Sequence, residues 1–167
     1  MNLEKLKAPL AKENIAQRIG GGGTKLDYLE GWFVIDQANE IFGYDGWDYY
    51  IDDVQVIKEV IDDKTCKALC RATVTVTVGE TLRQDVGVVI GSAKNSMDAI
   101  DIGLKGAVTD AMKRAFRTFG NQFGNCLYDK EKGGVEKAGS SSTPSSNGMY
   151  PTPKATGTLL FNDKIPF

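Results

Sequence analysis

The 167-residue sequence contains no histidine. Without that general base, neither a Ser-His nor a Cys-His nucleophilic pair can be assembled. A zinc site would need carboxylates or a partner chain. Cysteine is scarce as well: Cys66, Cys70 and Cys126 are an odd count with no CxxC spacing. Cys66 and Cys70 lie four apart in a strand-like run and share a face, which reads as buried reduced thiols. Long apolar runs are missing, and nothing approaches the roughly 20 residues of a membrane span. The stretch Met1–Lys7 lacks the apolar core of a signal peptide, so the expected compartment is the cytoplasm. There is no excess of basic charge either. A net charge of −2 and a pI near 5.2 run against the usual nucleic-acid-binding footprint, unless positive charge is concentrated locally. The compact acidic groups are Asp52-Asp53 and Asp62-Asp63-Lys64. The second reads as a hairpin turn, and the first places its two carboxylates on opposite faces of a strand, so neither suits a metal-dependent nuclease. The expectation is a protein without enzymatic activity and without a cofactor.

What is present suits one folded domain with a flexible extension. Hydrophobic residues make up 41% and charged residues 25%, an ordinary balance for a globular chain of a size that supports one core. After Lys132 the composition changes. Residues 133–158 are rich in Gly, Ser, Thr and Pro and read as a disordered linker. A short apolar tip follows at 159–167. Within the domain at 1–132, residues 2–18 read as helix with a break near Pro9. Gly20–Gly23 is a loop, Lys25–Glu30 a short strand, and Trp32–Phe42 a helix stopped by Gly43. Strand-like runs at 47–60, 66–78 and 81–91 are separated by the hairpin signals Asp62-Asp63-Lys64 and Gly79-Glu80. A long helix spans about Asn95 to Phe119. The fold class is α+β: an antiparallel β-β-β-α meander with the long helix packed on the apolar sheet face.

The long helix carries the most chemistry. Met97, Ile100, Leu104, Val108, Ala111, Ala115 and Phe119 recur at spacings of three and four and define an apolar stripe. Lys113, Arg114 and Arg117 fall on the opposite side as neighbours, with Gly103 and Gly106 on that same polar side. Two readings fit this pattern: a solvated face with favourable cations near the helix C-terminus, or a track for phosphates. Spacing does not decide between them. Gly20-Gly21-Gly22-Gly23-Thr24-Lys25 is not a Walker loop, because threonine rather than glycine precedes the lysine and a strand follows. Arg18 and Lys25 flank this loop, which is either a backbone-phosphate contact or a simple turn.

Arg18 with Gly21-Gly22-Gly23 and Tyr28-Leu29-Glu30-Gly31 resembles the start of the annealing domain of the Rad-fifty-two (Rad52) family. So do the runs from Ala38 to Trp47, Asp85-Val86-Gly87, Ala107 to Asn121, and Gly124-Asn125-Cys126. The resemblance covers about residues 3–130 and looks like the short bacteriophage or bacterial type. It implies a β-β-β-α unit that builds an oligomeric ring. It also implies ATP-independent binding of single-stranded DNA and annealing of complementary strands in recombination and double-strand break repair. Lys113, Arg114, Arg117 and Arg18 then correspond to inner-groove phosphate contacts, with Lys25 beside them. Lys94, and more loosely Lys64, correspond to a second, outer DNA site. The family's long C-terminal region, with its recombinase partners, is not matched, so mediator activity is not implied. The alternative is a passive single-strand-binding protein that does not pair strands. Separately, the ending Ile165-Pro166-Phe167 resembles the tip of bacterial single-strand DNA-binding proteins. A terminal aromatic, a carboxylate and a conformation-limiting proline would let it dock on that protein's reader proteins.

Overall fold

Alternating side chains along residues 66–78 put Cys66, Ala68, Cys70, Ala72, Val74, Val76 and Val78 on one buried face. That face is the floor of the core. The computed structural model describes residues 3–62, 64–129, 131 and 134–136. Its elements are α1 (Leu3–Lys7), β1 (Ala16–Ile19), β2 (Lys25–Tyr28), α2 (Gly31–Phe42), β3 (Trp47–Ile61), β4 (Cys66–Val78), β5 (Thr81–Ala93) and α3 (Ser96–Arg117). β3, β4 and β5 form an antiparallel meander in that order, and β1 and β2 a separate two-stranded hairpin. The β4–β5 turn is the expected two-residue connection, with Gly79 at φ +56° between Val78 and its partner Thr81. α3 lies across the apolar face of the sheet. Among the described residues, no helix is long and apolar enough to cross a membrane.

The start of α3 is fixed by its cap. The Asn95 side chain accepts a hydrogen bond from the Asp98 backbone N–H at 2.9 Å and donates to the Asp98 carboxylate at 2.7 Å. One otherwise unpaired helix donor is thereby satisfied. The buried line of α3 differs from the expected stripe. In the N-terminal half it runs through Ala99, Gly103 and Ala107, one residue before Ile100, Leu104 and Val108. That is a rotation of about 100°. The two lines agree at Ala111 and Ala115, and Met97 is 81% exposed. The small residues win because they let the helix approach the sheet. A Cβ on Gly87 would run into the Ala107 carbonyl oxygen, and one on Gly91 into that of Ala99. Gly103, expected on the polar side, instead faces Cys70 and Ala68, while Gly106 rests on Val89. Ile100, Leu104 and Val108 pack along the flanks of the core.

The C-terminal end of α3 closes over an aromatic cluster. Phe116, fully buried, lies 5.1 Å from both Trp47 and Phe123, and Phe123 stacks on Phe42 at 5.7 Å. Trp47 donates its indole N–H to Asn39 at 2.9 Å, which fixes α2 to the first residue of β3.

Three expectations are corrected. Residues 2–18 do not form a broken helix. The helix ends at Lys7 before Pro9, and Ala16–Ile19 pair with β2 instead. The segment between them is held by the far end of the chain: the Gln122 amide donates to the Ala8 and Pro9 carbonyls, and Leu10 pairs with Gly134 and Glu136. Asp52 and Asp53 do not serve opposite faces. A bulge between Ile51 and Asp53 lets Asp52 accept from Thr75 at 2.7 Å and Asp53 from Arg71 at 2.9 Å, two residues on the same face of β4. Pairing with Leu10 also takes Gly134–Glu136, expected in the linker, into the fold. The rest of the expected linker, apart from these residues, and the tip at 159–167 lie outside the described residues.

Gly91→Ala should lower thermal stability by about 1–3 kcal/mol or more, because α3 must lift off the sheet to admit the methyl group. Ser92→Ala, one residue on and exposed, should change the unfolding midpoint little. A midpoint unchanged by Gly91→Ala would contradict the close helix–sheet contact.

Candidate nucleic-acid interface

The β1–β2 hairpin, the last turns of α3 and the segment 123–128 enclose a cleft of about 650 Å³. Arg18, Lys25, Lys113, Arg114 and Arg117 all line it, and the acidic residues on its wall are Asp27 and Asp110. Cations from two distant stretches of sequence are thus brought together. Arg18 and Lys25 come from opposite strands of the hairpin, where Arg18 faces Leu26 and Ile19 faces Lys25. The hairpin turns through Gly22 and Gly23, at φ +73° and +79°. Within the turn, the Gly20 and Gly23 amides already donate to Thr24 and Gly20. Those two amides are therefore not offered to a phosphate.

Each helix cation has a distinct setting. Lys113 Nζ donates to the Leu29 carbonyl at 3.1 Å and lies 5.4 Å from the centre of the Tyr28 ring. Burial pushes its pKa below the ordinary lysine value, and the nearby Arg18 charge acts in the same direction. Asp110 and Glu30 oppose the shift without cancelling it. Arg114 Nε donates to Asp85 on β5 at 3.0 Å. Bonding through Nε leaves the two terminal nitrogens for another acceptor. Arg117 lies 4.3 Å from the Tyr128 ring. Arg18 sits 5.7 Å from the Tyr28 ring, so Tyr28 is shared by two cations, and its hydroxyl donates to Glu30 at 2.7 Å.

Lys94 and Lys64 do not join this cleft. Cys66 pairs with Ala93, so the β3–β4 turn bearing Lys64 and the residue after β5, Lys94, share the opposite end of the sheet. The length of α3 separates them from Arg117, about 30 Å at 1.5 Å per residue. Among the described residues, no group of three or more His, Cys, Asp or Glu is placed to hold a metal ion. Composition and helical spacing alone miss two cleft residues, Tyr28 and Tyr128, and the residue that holds Arg114, Asp85. Tyr28 was legible in principle, lying two residues past Leu26, the cross-strand neighbour of Arg18, and so on the same hairpin face. Tyr128 reaches the cleft, and Asp85 reaches Arg114, only through tertiary packing.

The fold and this site define a small helix-on-sheet domain with a cationic cleft. A family model described as the Rad52/22 family of double-strand break repair proteins matches residues 2–145. The chain belongs to that family. It is 40% identical over 134 residues to the DNA repair and recombination protein RAD52 of Saccharomyces cerevisiae, covering 76% of this chain and 27% of that protein. The protein of the same name from Kluyveromyces lactis is 40% identical over 131 residues, covering 76% and 30%. That from Candida glabrata is 41% identical over 132 residues, covering 77% and 26%. The chain therefore spans between about a quarter and a third of the length of these relatives. All three are fungal and give no support to the expected bacteriophage or bacterial type.

Because burial favours the neutral amine, Lys113 loses its proton at lower pH than an exposed lysine. The fold opposes its charge below that point, and this penalty is relieved as pH rises through the lowered pKa toward 10.5. The cleft loses a cation over the same interval. Affinity of the cleft for a polyanion probe, measured by fluorescence anisotropy, should begin to fall with rising pH before 10.5 is reached, and Lys113→Arg should move that onset upward. An onset unmoved by Lys113→Arg would show that Lys113 does not set the cleft's charge.

Proposed function

We propose that this chain binds single-stranded DNA along the cationic cleft and anneals complementary strands without nucleotide hydrolysis, in recombination and double-strand break repair. The observation that carries this reading is the convergence of Arg18, Lys25, Lys113, Arg114 and Arg117 on one cleft in a protein whose net charge is −2. Guanidinium and ammonium groups hold phosphates whatever the base sequence, which leaves base edges free to find a complement. The names of the fungal relatives, DNA repair and recombination proteins, agree with this role.

The proposal includes assembly of several copies into a ring. One domain offers few phosphate contacts, so useful affinity for a strand requires many cleft sites in series. The sheet supports such assembly. β3, of 15 residues, and β5, of 13, are both outer strands of the three-stranded sheet. They expose Ile51, Val54, Val56 and Ile61 on one and Leu82, Val88 and Ile90 on the other. Long apolar edges of this kind invite pairing with another chain. Lys94 and Lys64 are proposed as part of a second DNA site at the far end of the sheet, where a complementary strand could be presented. The Ile165-Pro166-Phe167 tip is proposed as a docking segment for proteins that read the tail of single-strand DNA-binding protein. The protein is read as a non-enzyme that needs no cofactor.

Mixing complementary oligonucleotides with the protein, without ATP or metal, should accelerate duplex formation. Slower pairing would instead identify a passive single-strand binder. Replacing Lys113, Arg114 and Arg117 together by alanine should abolish the acceleration and leave the circular dichroism spectrum in place. It should also reduce the salt dependence of binding by about 2 units per protomer, at roughly 0.7 per lost phosphate contact. An unchanged slope would remove these residues from the DNA path. Light scattering on the full chain should give a multiple of the 18.1 kDa protomer mass, and a monomer at micromolar concentration would refute the ring.

A further inference from the structure

The cleft holds two tyrosines in opposite circumstances. Tyr28 is committed: two cations lie against its ring and its hydroxyl is bonded to Glu30. Tyr128 is 70% exposed, although it lines the same cleft. Arg117 lies 4.3 Å from its ring centre.

The backbone beneath Tyr128 is firmly held. It ends a short 3-10 turn, Asn125–Tyr128, that follows Gly124 in the left-handed region at φ +84°. Cys126, in the same turn, is buried, and its Sγ donates to the Asn121 carbonyl at 3.6 Å. Leu127 packs against the core, and the Asp129 amide closes the turn onto the Cys126 carbonyl at 3.2 Å. The result is a large aromatic ring that is left in solvent on a rigid support, with a guanidinium beside it. An exposed aromatic of this kind offers a sequence-tolerant surface for a nucleobase, because every base has a π-face. A stacked guanidinium adds a cation–π component and keeps the ring from folding back.

We propose that Tyr128, backed by Arg117, is a stacking platform that takes one nucleobase per protomer at the mouth of the cleft. The cleft is then not a purely phosphate-reading surface: it grips the strand by backbone charge and registers it by one stacked base. This rests on the single-strand-binding reading above. It goes beyond that reading by assigning a base contact, and a residue to make it, to a surface otherwise described by charge.

The test compares two length-matched strands, an oligodeoxythymidylate and a fully abasic strand, binding to the full chain. Thymidylate stacks little on itself, so any preference reports the protein. The wild-type chain should bind the abasic strand about tenfold more weakly. Tyr128→Ala should bind both strands equally, at the wild-type abasic level, and keep the wild-type salt slope. Tyr128→Phe should retain the preference. Equal wild-type affinity for the two strands, or a preference that survives Tyr128→Ala, would overturn the platform while leaving single-strand binding intact. Loss of binding to both strands with a reduced salt slope would also overturn it, because Tyr128 would then act only by holding Arg117. A wild-type chain that binds neither strand would defeat the single-strand reading itself, and the platform with it.

Discussion

Ala99, Gly103, Ala107, Ala111 and Ala115 form a ridge of small residues along α3, seated on a layer that includes Gly87 and Gly91 of β5 and Ala68, Cys70 and Ala72 of β4. No methyl group can be added at Gly87 or Gly91 without meeting the helix backbone. In a close-packed interior such a contact has no slack, so the rotation of α3 about its axis is set there. Everything on the other side of the helix follows. With Ala111 and Ala115 directed into the sheet, Lys113 reaches the Leu29 carbonyl at the foot of the β1–β2 hairpin. Arg114 turns toward Asp85 on β5, and Arg117 toward Tyr128. A register of small residues in the core thus becomes a register of cations at the surface.

The cleft is positive in an acidic protein because screening makes charge a local matter. At about 0.1 M salt, exposed charges more than about 10 Å apart hardly interact. A phosphate in the cleft meets the five cations lining it, with Asp27 and Asp110 on the wall and Glu30 acting on Lys113. Asp85 removes some positive potential, but it holds Arg114 by a single bond through Nε, which directs the remaining donors elsewhere. Lys113 trades part of its hydration for a fixed place between the hairpin and α3. Both devices give up some charge strength in exchange for geometry prepared before a ligand arrives.

Strands were legible in the sequence where one face was uniformly apolar, and helices where caps and stops were explicit. The Thr/Val alternation of Thr73–Val78 and the two hairpin signals placed β3, β4 and β5 within one or two residues, and Gly43 marked the end of α2. β1 was missed because Ala16–Ile19 forms a mostly exposed strand, paired with β2, that shows no apolar face. The stripe of α3 was misplaced because a periodicity argument weights large apolar residues, whereas the contact selects small ones. The bulge in β3 that brings Asp52 and Asp53 to one face has no local signature that alternation can detect. Of the site, the cations were visible as types and spacings. Their grouping with Arg18 came from the family resemblance and not from spacing, and the roles of Tyr128 and Asp85 depend on packing between segments far apart in sequence.

The open edge of β5 and the cleft are physically joined through Asp85. That residue receives the Arg114 Nε on its carboxylate and the Val86 amide on the same oxygen, so its position is set by the strand itself. β5 is an outer strand, with one edge paired to β4 and the other without a partner among the described residues. An edge strand is less constrained than a central one, because half of its backbone groups have only water to pair with. If copies of the chain assemble along these edges, as proposed, pairing would order the segment that carries Asp85 and with it the direction of Arg114. Assembly and strand binding would then reinforce each other without any large conformational change. The strand joins many clefts, and each new subunit contact stiffens the residue that aims one of the cations at the strand.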